Sequence, residues 1–198
     1  MVAGHREKLF ISDMMNADFI SGHYGTLPIQ YSSQTFAIYR EPVDRTFSYL
    51  KYIWPRFYSN MNFIDFLNFF FSNKNLVESI TNQQSKFLTG NINLERYNND
   101  IYYLKKMVEN NWHIENYETD IESVKDYINK SNINIFNYEE PDLYKKIINS
   151  INLNIPEHSF DDVVNSSLKI DEQTYSSYTD KIKEINNIDL ELYDYFKK

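Results

Sequence analysis

The apolar and polar positions between residues 36 and 54 predict a β-strand, a sharp turn and an amphipathic helix. Residues 36–39 are apolar and favour extended backbone. Pro42 suits the first helical position, because its φ is fixed and the amide it lacks is not needed there. An apolar stripe at helical spacing follows, formed by Val43, Phe47, Leu50 and Trp54. The polar side of the same helix carries Asp44, Ser48 and Lys51.

The rest of the chain alternates between helical patterns and short strands. After a break at 54–60, Asn62 is placed to cap a helix over 63–71, which is apolar around most of its circumference and is predicted to be buried. Residues 112–117 alternate as in a strand, and helical stripes lie at 104–108, 124–128, 143–151 and 179–196. Residues 131–160 are rich in asparagine and read as an irregular insertion with one short helix. No linker divides residues 1–198, which predicts a single domain.

Composition narrows the function classes. The net charge of −8 argues against a broad nucleic-acid footprint, which needs a basic surface, but leaves room for one local basic pocket. The chain has no cysteine, which excludes a disulfide framework and a cysteine-ligated metal. No apolar run reaches ~18 residues, and the first residues lack the apolar core of a signal peptide. We therefore expect a cytoplasmic protein that does not enter a membrane.

Arg40 lies between the predicted strand and the predicted helix, beside the helix N-terminus. Free amides at a helix N-terminus favour an anion, and the planar guanidinium of arginine suits a phosphate. Ser48 lies about 10 Å further along the helix axis, within reach of a long arginine side chain. These residues form either an anion site or an ordinary corner with a surface arginine, since Glu41 and Asp44 compete for the same amides.

His23 lies between Gly22 and Gly25, directly after a short apolar run that predicts a strand. Open α/β sheets bind their ligands at the carboxyl ends of strands, and a histidine near its usual pKa of ~6.5 suits a general base. The alternative is a loop histidine bonded to the backbone.

The pattern Arg-x-Pro-x-x-Arg-x-x-Ser-Tyr at residues 40–49 resembles the 3′-phosphate-binding element of the sulfotransferases that use 3′-phosphoadenosine 5′-phosphosulfate (PAPS), in their carbohydrate sulfotransferase branch. The resemblance implies that Arg40 and Ser48 hold the 3′-phosphate. Arg45 is a further candidate, although by spacing alone it is a surface residue. Phe-Ile-Ser-Gly-His-Tyr at residues 19–24 resembles the Gly-His element of the same branch. This implies that His23 removes the proton from the acceptor hydroxyl.

Two more segments resemble the same family. Residues 81–90 are similar to its Asn-x-Gln-x-Arg-Phe-Leu-x-Gly segment, with Lys86 in place of the arginine. The resemblance places Lys86 near the nucleotide, whereas the sequence alone makes Gln84 and Lys86 a solvated helix face. Residues 188–196 resemble the closing helix of the family, Asn-x-x-Asp-x-x-Leu-Tyr, for which we expect a packing role. Asn165 and Ser166 resemble a pair that precedes that helix.

The resemblance implies an α/β fold: a three-layer, P-loop-kinase-like parallel sheet flanked by helices, without the first βα unit that carries the 5′-phosphosulfate loop. It implies transfer of a sulfonate group from PAPS to a carbohydrate hydroxyl, with no metal. The alternative is a catalytically inactive or truncated binding protein that retains the 3′-phosphate pocket. A second chain that completes the sheet is a further expectation.

Overall fold

The computed structural model describes residues 2–3, 12, 15, 20–21, 26–30, 34–95, 114–151 and 170–197. In these ranges the chain is α/β, mostly helical, with a small parallel sheet of two strands. The strands are β1 (Val2–Ala3), β2 (Ile20–Ser21), β3 (Thr35–Tyr39), β4 (Asn91–Ile92), β5 (Ile114–Glu115) and β6 (Ile133–Asn137). The helices are α1 (Pro42–Phe57), α2 (Phe63–Ser72), α3 (Lys74–Ile80), α4 (Gln83–Thr89), α5 (Ile121–Ser131), α6 (Leu143–Ile151), α7 (Glu172–Ile185) and α8 (Asn187–Phe196). Leu27–Gln30 form a 3₁₀ turn.

The parallel sheet is made by β3 and β6, with Thr35 opposite Ile133 and Tyr39 opposite Asn137. The strand predicted at 36–39 is confirmed. The irregular structure predicted for 131–160 is wrong at 133–137, because this strand is short, half polar and paired with a segment far earlier in the chain. That 131–160 is an insertion stays a prediction. The remaining ladders are two residues long, parallel between β1 and β2 and antiparallel between β4 and β5. The described strands do not by themselves make a three-layer sheet.

Helix α1 begins where the sequence predicts it, at Pro42, and Glu41 caps it by accepting the amide of Asp44 at 2.6 Å. Its predicted stripe faces inward, with Val43, Phe47 and Leu50 buried and Trp54 half-buried. The break predicted from residue 54 is wrong as far as residue 57, because the helix continues through Pro55. Pro55 is exposed in the last turn, where the loss of one amide and the tilt it causes disturb little of the helix.

Two clusters of buried side chains form the core. The first joins α1, α2, α3 and α7 and includes Phe47, Leu50, Phe66, Phe70, Leu76 and Ile182. The second joins the parallel sheet with α4, α5 and α8 and includes Tyr39, Leu88, Val124, Ile128, Ile133 and Leu192. The chain passes from the second cluster at Tyr39 to the first cluster at Val43, so the turn at 40–42 joins the two clusters.

Helix α2 begins after Asn62, whose side chain accepts the amide of Asp65 at 2.9 Å, so the predicted cap is confirmed. The prediction that α2 is buried is wrong on one face, because Ile64 and Phe69 are 52% and 40% exposed. The helices predicted at 124–128 and 143–151 are confirmed as α5 and α6. The single helix predicted at 179–196 is wrong, since α7 begins at Glu172 and α8 is a separate helix.

Several predicted features lie outside the described residues. They are the helical stripe at 104–108, Trp112 at the start of the predicted strand, and the pair Asn165 and Ser166. None of the described helices is both long enough and apolar enough to span a membrane.

Helices α4 and α8 cap each other. The buried carboxylate of Asp189, in the first turn of α8, accepts the amides of Gln84 at 2.9 Å and Ser85 at 2.8 Å in the first turn of α4. In return, the side-chain oxygen of Asn82 accepts the amides of Ile188 and Asp189 at 3.1 and 3.3 Å. Helix N-termini leave amides without intrahelical partners, and each helix here supplies acceptors for the other. The Asn-x-x-Asp-x-x-Leu-Tyr segment therefore does more than pack.

Gly90 ends α4 at a point of close backbone approach. A Cβ atom at this position would lie 2.4 Å from Cγ2 of Ile114 and 2.7 Å from the carbonyl oxygen of Lys86. Both distances are far below van der Waals contact, so only glycine fits between α4 and β5.

We expect the Asp189→Ala variant to lose about 2–4 kcal/mol of unfolding free energy, because two buried amides lose their acceptor. Urea unfolding followed by circular dichroism measures this difference. Asp194→Ala is the matched control, since Asp194 is exposed on the same helix and its loss is expected to cost less than about 0.5 kcal/mol. Equal costs for the two variants would contradict the capping role.

Candidate functional site

The candidate site lies at the carboxyl edge of the parallel sheet. Arg40 follows β3, and Tyr138 follows the neighbouring strand β6, with its amide donating to the carbonyl of Tyr39 at 2.7 Å. The Arg40 guanidinium carbon lies 4.8 Å from the centre of the Tyr138 ring, in a cation–π contact. Parallel strands end at the same edge, and this edge is where open α/β sheets bind ligands.

The side chain of Gln84 fixes the main chain of Arg40. Its Oε1 accepts the Arg40 amide at 3.0 Å, and its Nε2 donates to the Arg40 carbonyl at 2.9 Å. Gln84 and Lys86 are buried, so a solvated helix face at these positions is wrong. The buried amide of Gln84 therefore holds both backbone polar groups of Arg40 in place.

Arg40 acts electrostatically on two other cations, Arg45 and Lys51. Burial lowers the pKa of Lys51, and the charge of Arg40 lowers it further, while Asp44 acts in the opposite direction. Burial also lowers the pKa of Arg45, where Asp189 raises it and Arg40 lowers it. Within the described part of the chain, neither Arg40 nor Lys51 has a carboxylate oxygen within ion-pair distance. These two cations can therefore still accept an anionic partner.

Ser48 lies between Arg45 and Lys51 on α1, three residues from each, or about 4.5 Å along the helix axis in either direction. The residue is half-buried, and its hydroxyl makes no hydrogen bond to any of the described residues. Arginine and lysine only donate hydrogen bonds, and the Ser48 hydroxyl can add another donor. The arrangement suits a multiply charged oxyanion.

Carboxylates also lie near this corner, but other donors engage them. Glu41 accepts the amide of Asp44, while Asp44 accepts the hydroxyl of Tyr175 at 2.8 Å. Burial, followed by that hydrogen bond, raises the pKa of Tyr175 to about 12, so the phenol remains a donor at neutral pH. Glu139 accepts the amide of Glu41 at 3.2 Å. None of these acids lies within ion-pair distance of Arg40 or Lys51.

Arg45 faces the interior and is not the surface residue that spacing alone gives. Its Nη1 donates to Oε1 of Gln83 at 2.6 Å, and the Asp189 carboxylate acts on it electrostatically. Desolvation raises the pKa of Asp189, whereas the amides of Ser85 and Gln84 and the charge of Arg45 lower it. Arg45 therefore contributes positive potential behind the corner, and Asp189 balances part of that charge.

Lys86 is not brought together with Arg40. Its ammonium donates to the carboxylate of Glu78 at 2.7 Å and to the Glu78 carbonyl at 3.1 Å, and it lies 5.0 Å from the centre of the Tyr117 ring. Gln84 and Lys86 are two residues apart on α4 and point to different sides of that helix. The cation at residue 86 is thus engaged in an internal ion pair.

His23 falls outside the described residues, so its distance from Arg40 and Ser48 is untested. The described ranges contain no group of three histidine, aspartate or glutamate side chains that could hold a metal ion.

Sequence reasoning missed two contributors to this site. The sequence pattern puts Lys51 on the same polar side of α1 as Ser48, three residues away, but the resemblance gives Lys51 no role. Asp189 was given a packing role, and its cap on α4 had a signal in the polar residues embedded in an otherwise apolar closing segment.

Comparison of the chain with protein-family models, with curated proteins and with solved structures gave no match. The likeness to the sulfotransferases rests on the residues themselves.

Proposed function

We propose that this chain is a PAPS-dependent sulfotransferase domain that acts on a hydroxyl of a carbohydrate, with the 3′-phosphate of the nucleotide bound at the Arg40 corner. One observation carries the proposal: among the described residues, Arg40 at the carboxyl edge of the sheet and Lys51 on α1 have no carboxylate within ion-pair distance, and the hydroxyl of Ser48 has no hydrogen-bond partner. The resemblance of residues 40–49 to a 3′-phosphate-binding element supplies the identity of the anion.

In the proposed complex, the guanidinium of Arg40 donates two parallel hydrogen bonds to the 3′-phosphate. The hydroxyl of Ser48 donates a third, and Lys51 supplies a compact charge on the other side. Arg45 acts through its potential from behind Gln83. Lys86 is left out of the pocket, because its ammonium is already paired with Glu78.

The proposed reaction is an in-line displacement at sulfur. A lone pair of the acceptor hydroxyl oxygen forms the new S–O bond, while the S–O bond to the 5′-phosphate breaks and its electron pair leaves on the phosphate oxygen. The products are a sulfate ester and adenosine 3′,5′-bisphosphate. The hydroxyl proton passes to the imidazole of His23, a role that rests on the resemblance of residues 19–24. By analogy with phosphoryl transfer, catalysis consists mainly of positioning and charge stabilisation.

The three-layer parallel sheet of the P-loop-kinase type is part of this proposal. The β3–β6 pair supports it, because parallel strands require long crossover connections and here α1 to α5 lie between them. Further strands would come from the rest of the chain or from a second chain. A cytoplasmic location and the absence of a metal requirement stay predictions.

We expect Arg40→Ala to weaken the binding of adenosine 3′,5′-bisphosphate about 10- to 100-fold, since a charge-assisted, bidentate contact is lost. Isothermal titration calorimetry measures the affinity. Arg56→Ala is the matched control, because Arg56 lies on the same helix but stacks on Tyr52 and donates to its carbonyl. An unchanged affinity in Arg40→Ala, or an equal loss in Arg56→Ala, would reject the pocket.

For catalysis, we expect His23→Ala to lower the rate of sulfonate transfer to an oligosaccharide panel by about 10²- to 10⁴-fold, because the general base is removed. Mass spectrometry of the sulfated products follows the reaction, and His158→Ala serves as the control. Nucleotide binding by His23→Ala should be retained. If the wild-type chain binds the nucleotide without transferring sulfonate, it is the binding protein of the alternative hypothesis.

A further inference from the structure

Helix α1, which begins beside the Arg40 corner, also lines a concave site. It is a pocket of about 480 Å³ between the C-terminal half of α1 and the N-terminal ends of α2 and α7. This volume lies in the range of roughly 300–1,000 Å³ that small-molecule sites occupy. Lys51 lines the pocket, and its pKa is lowered by burial and by the charge of Arg40, so the two sites influence each other electrostatically through this side chain.

Aromatic rings supply the apolar part of the pocket. Trp54 and Phe63 both line it, with ring centres 5.1 Å apart and planes inclined by 57°. The indole N–H of Trp54 donates to the carbonyl of Met61 at 2.8 Å, which fixes the ring and uses its only donor. To a ligand, Trp54 therefore offers apolar ring surface alone.

Charged groups of both signs surround these rings. Asp65 and Asp171 line the pocket together with Lys51. One oxygen of Asp65 accepts the amide group of Asn62 at 2.6 Å, and the oxygens of Asp171 accept the amide and hydroxyl of Thr174, both at 2.8 Å. Each carboxylate oxygen has two lone pairs, so acceptor capacity remains on both residues. These hydrogen bonds also lower the pKa of Asp171, which keeps it ionised.

This lining restricts the chemistry of a ligand. A purely apolar molecule would remove water from Lys51, Asp65 and Asp171, and it could not replace the hydrogen bonds that these side chains make to that water. A simple anion would meet two carboxylates, and a simple cation would meet Lys51. A saturated ring that bears hydroxyl groups fits the carboxylates, the ammonium and the aromatic rings together. Its hydroxyls donate to the carboxylates or accept from the ammonium, and its C–H face covers the aromatic surface.

We propose that the pocket lined by Trp54, Phe63, Asp65, Asp171 and Lys51 binds a neutral saccharide unit. That the pocket binds a saccharide is argued from its lining residues alone and does not depend on sulfonate transfer. Its use for the acceptor carbohydrate of sulfonate transfer rests on the function proposed above, and Lys51 would then contact both the nucleotide phosphate and the sugar.

The test is a titration of the full chain with the methyl glycosides of glucose, galactose, mannose and N-acetylglucosamine, followed by saturation-transfer NMR and calorimetry. We expect at least one glycoside to bind with Kd of about 1–10 mM, as fits a ligand of this size. Sorbitol, which has hydroxyl groups but no ring face, is expected to bind at least 10-fold more weakly. Absence of binding by every glycoside, or equal binding of sorbitol, would overturn the proposal.

Two variants locate the site. Trp54→Leu should weaken the best glycoside at least 10-fold, because the aromatic surface is lost. Asp65→Asn keeps the shape and should weaken it about 5-fold, because a charged acceptor becomes neutral. Asp126→Asn, an exposed aspartate on α5, is the matched control and should bind as the wild type does. If Asp65→Asn and Asp126→Asn bind alike, and Trp54→Leu stays folded and binds normally, the pocket is not the saccharide site.

The same protein is titrated with adenosine 3′,5′-bisphosphate, which separates this proposal from the proposed function. Nucleotide binding without glycoside binding overturns the saccharide pocket and leaves the Arg40 site in place. Glycoside binding that responds to Trp54 and Asp65, without nucleotide binding, supports the pocket and rejects sulfonate transfer.

Discussion

The carboxylate of Asp189 is buried at the place where α1, α4 and α8 meet, and the candidate site depends on its contacts. The carboxylate accepts two amides of α4 and acts electrostatically on Arg45 of α1. The backbone carbonyl of Asp189 accepts the hydroxyl of Tyr39 at 3.1 Å. A buried carboxylate is stable only when such donors replace its hydration. Because Gln84 then holds the main chain of Arg40, the cap on α4 also sets the position of the arginine at the end of β3.

The Arg40 corner carries positive charge, whereas the chain as a whole is negatively charged. The protein carries a net charge of −8, yet Arg40 and Lys51 have no close carboxylate among the described residues. The acids nearby are held by Tyr175 and by backbone amides. Half-buried cations that repel one another cost folding free energy, and an anion bound between them would relieve that repulsion. This is the pattern expected where binding, and not stability, selects the residues.

The local parts of the fold could be predicted from the sequence, because their signals are local. The strand ending at Tyr39, the start of α1 at Pro42 and the cap at Asn62 each follow from a few adjacent residues. The strand at 133–137 could not, since five residues with two asparagines become a strand only through pairing with β3. The split between α7 and α8 was missed for a related reason: Asn186 interrupts the helix where its side chain accepts the amide of Asn82, about a hundred residues away in the chain.

The candidate site shows the same division. The pairing of Arg40 with Ser48 follows from helical spacing and stays a prediction, whereas the expected competition of Glu41 for a helix amide is confirmed. The burial of Gln84 and the internal pairing of Lys86 depend on which face of α4 meets α1 and which meets α3, and a seven-residue helix does not reveal that in its sequence. The most direct test of the account compares, by calorimetry, adenosine 3′,5′-bisphosphate with adenosine 5′-monophosphate, which lacks only the 3′-phosphate. The account predicts that the bisphosphate binds at least about 30-fold more tightly, through Arg40, Lys51 and Ser48; equal affinities would contradict it.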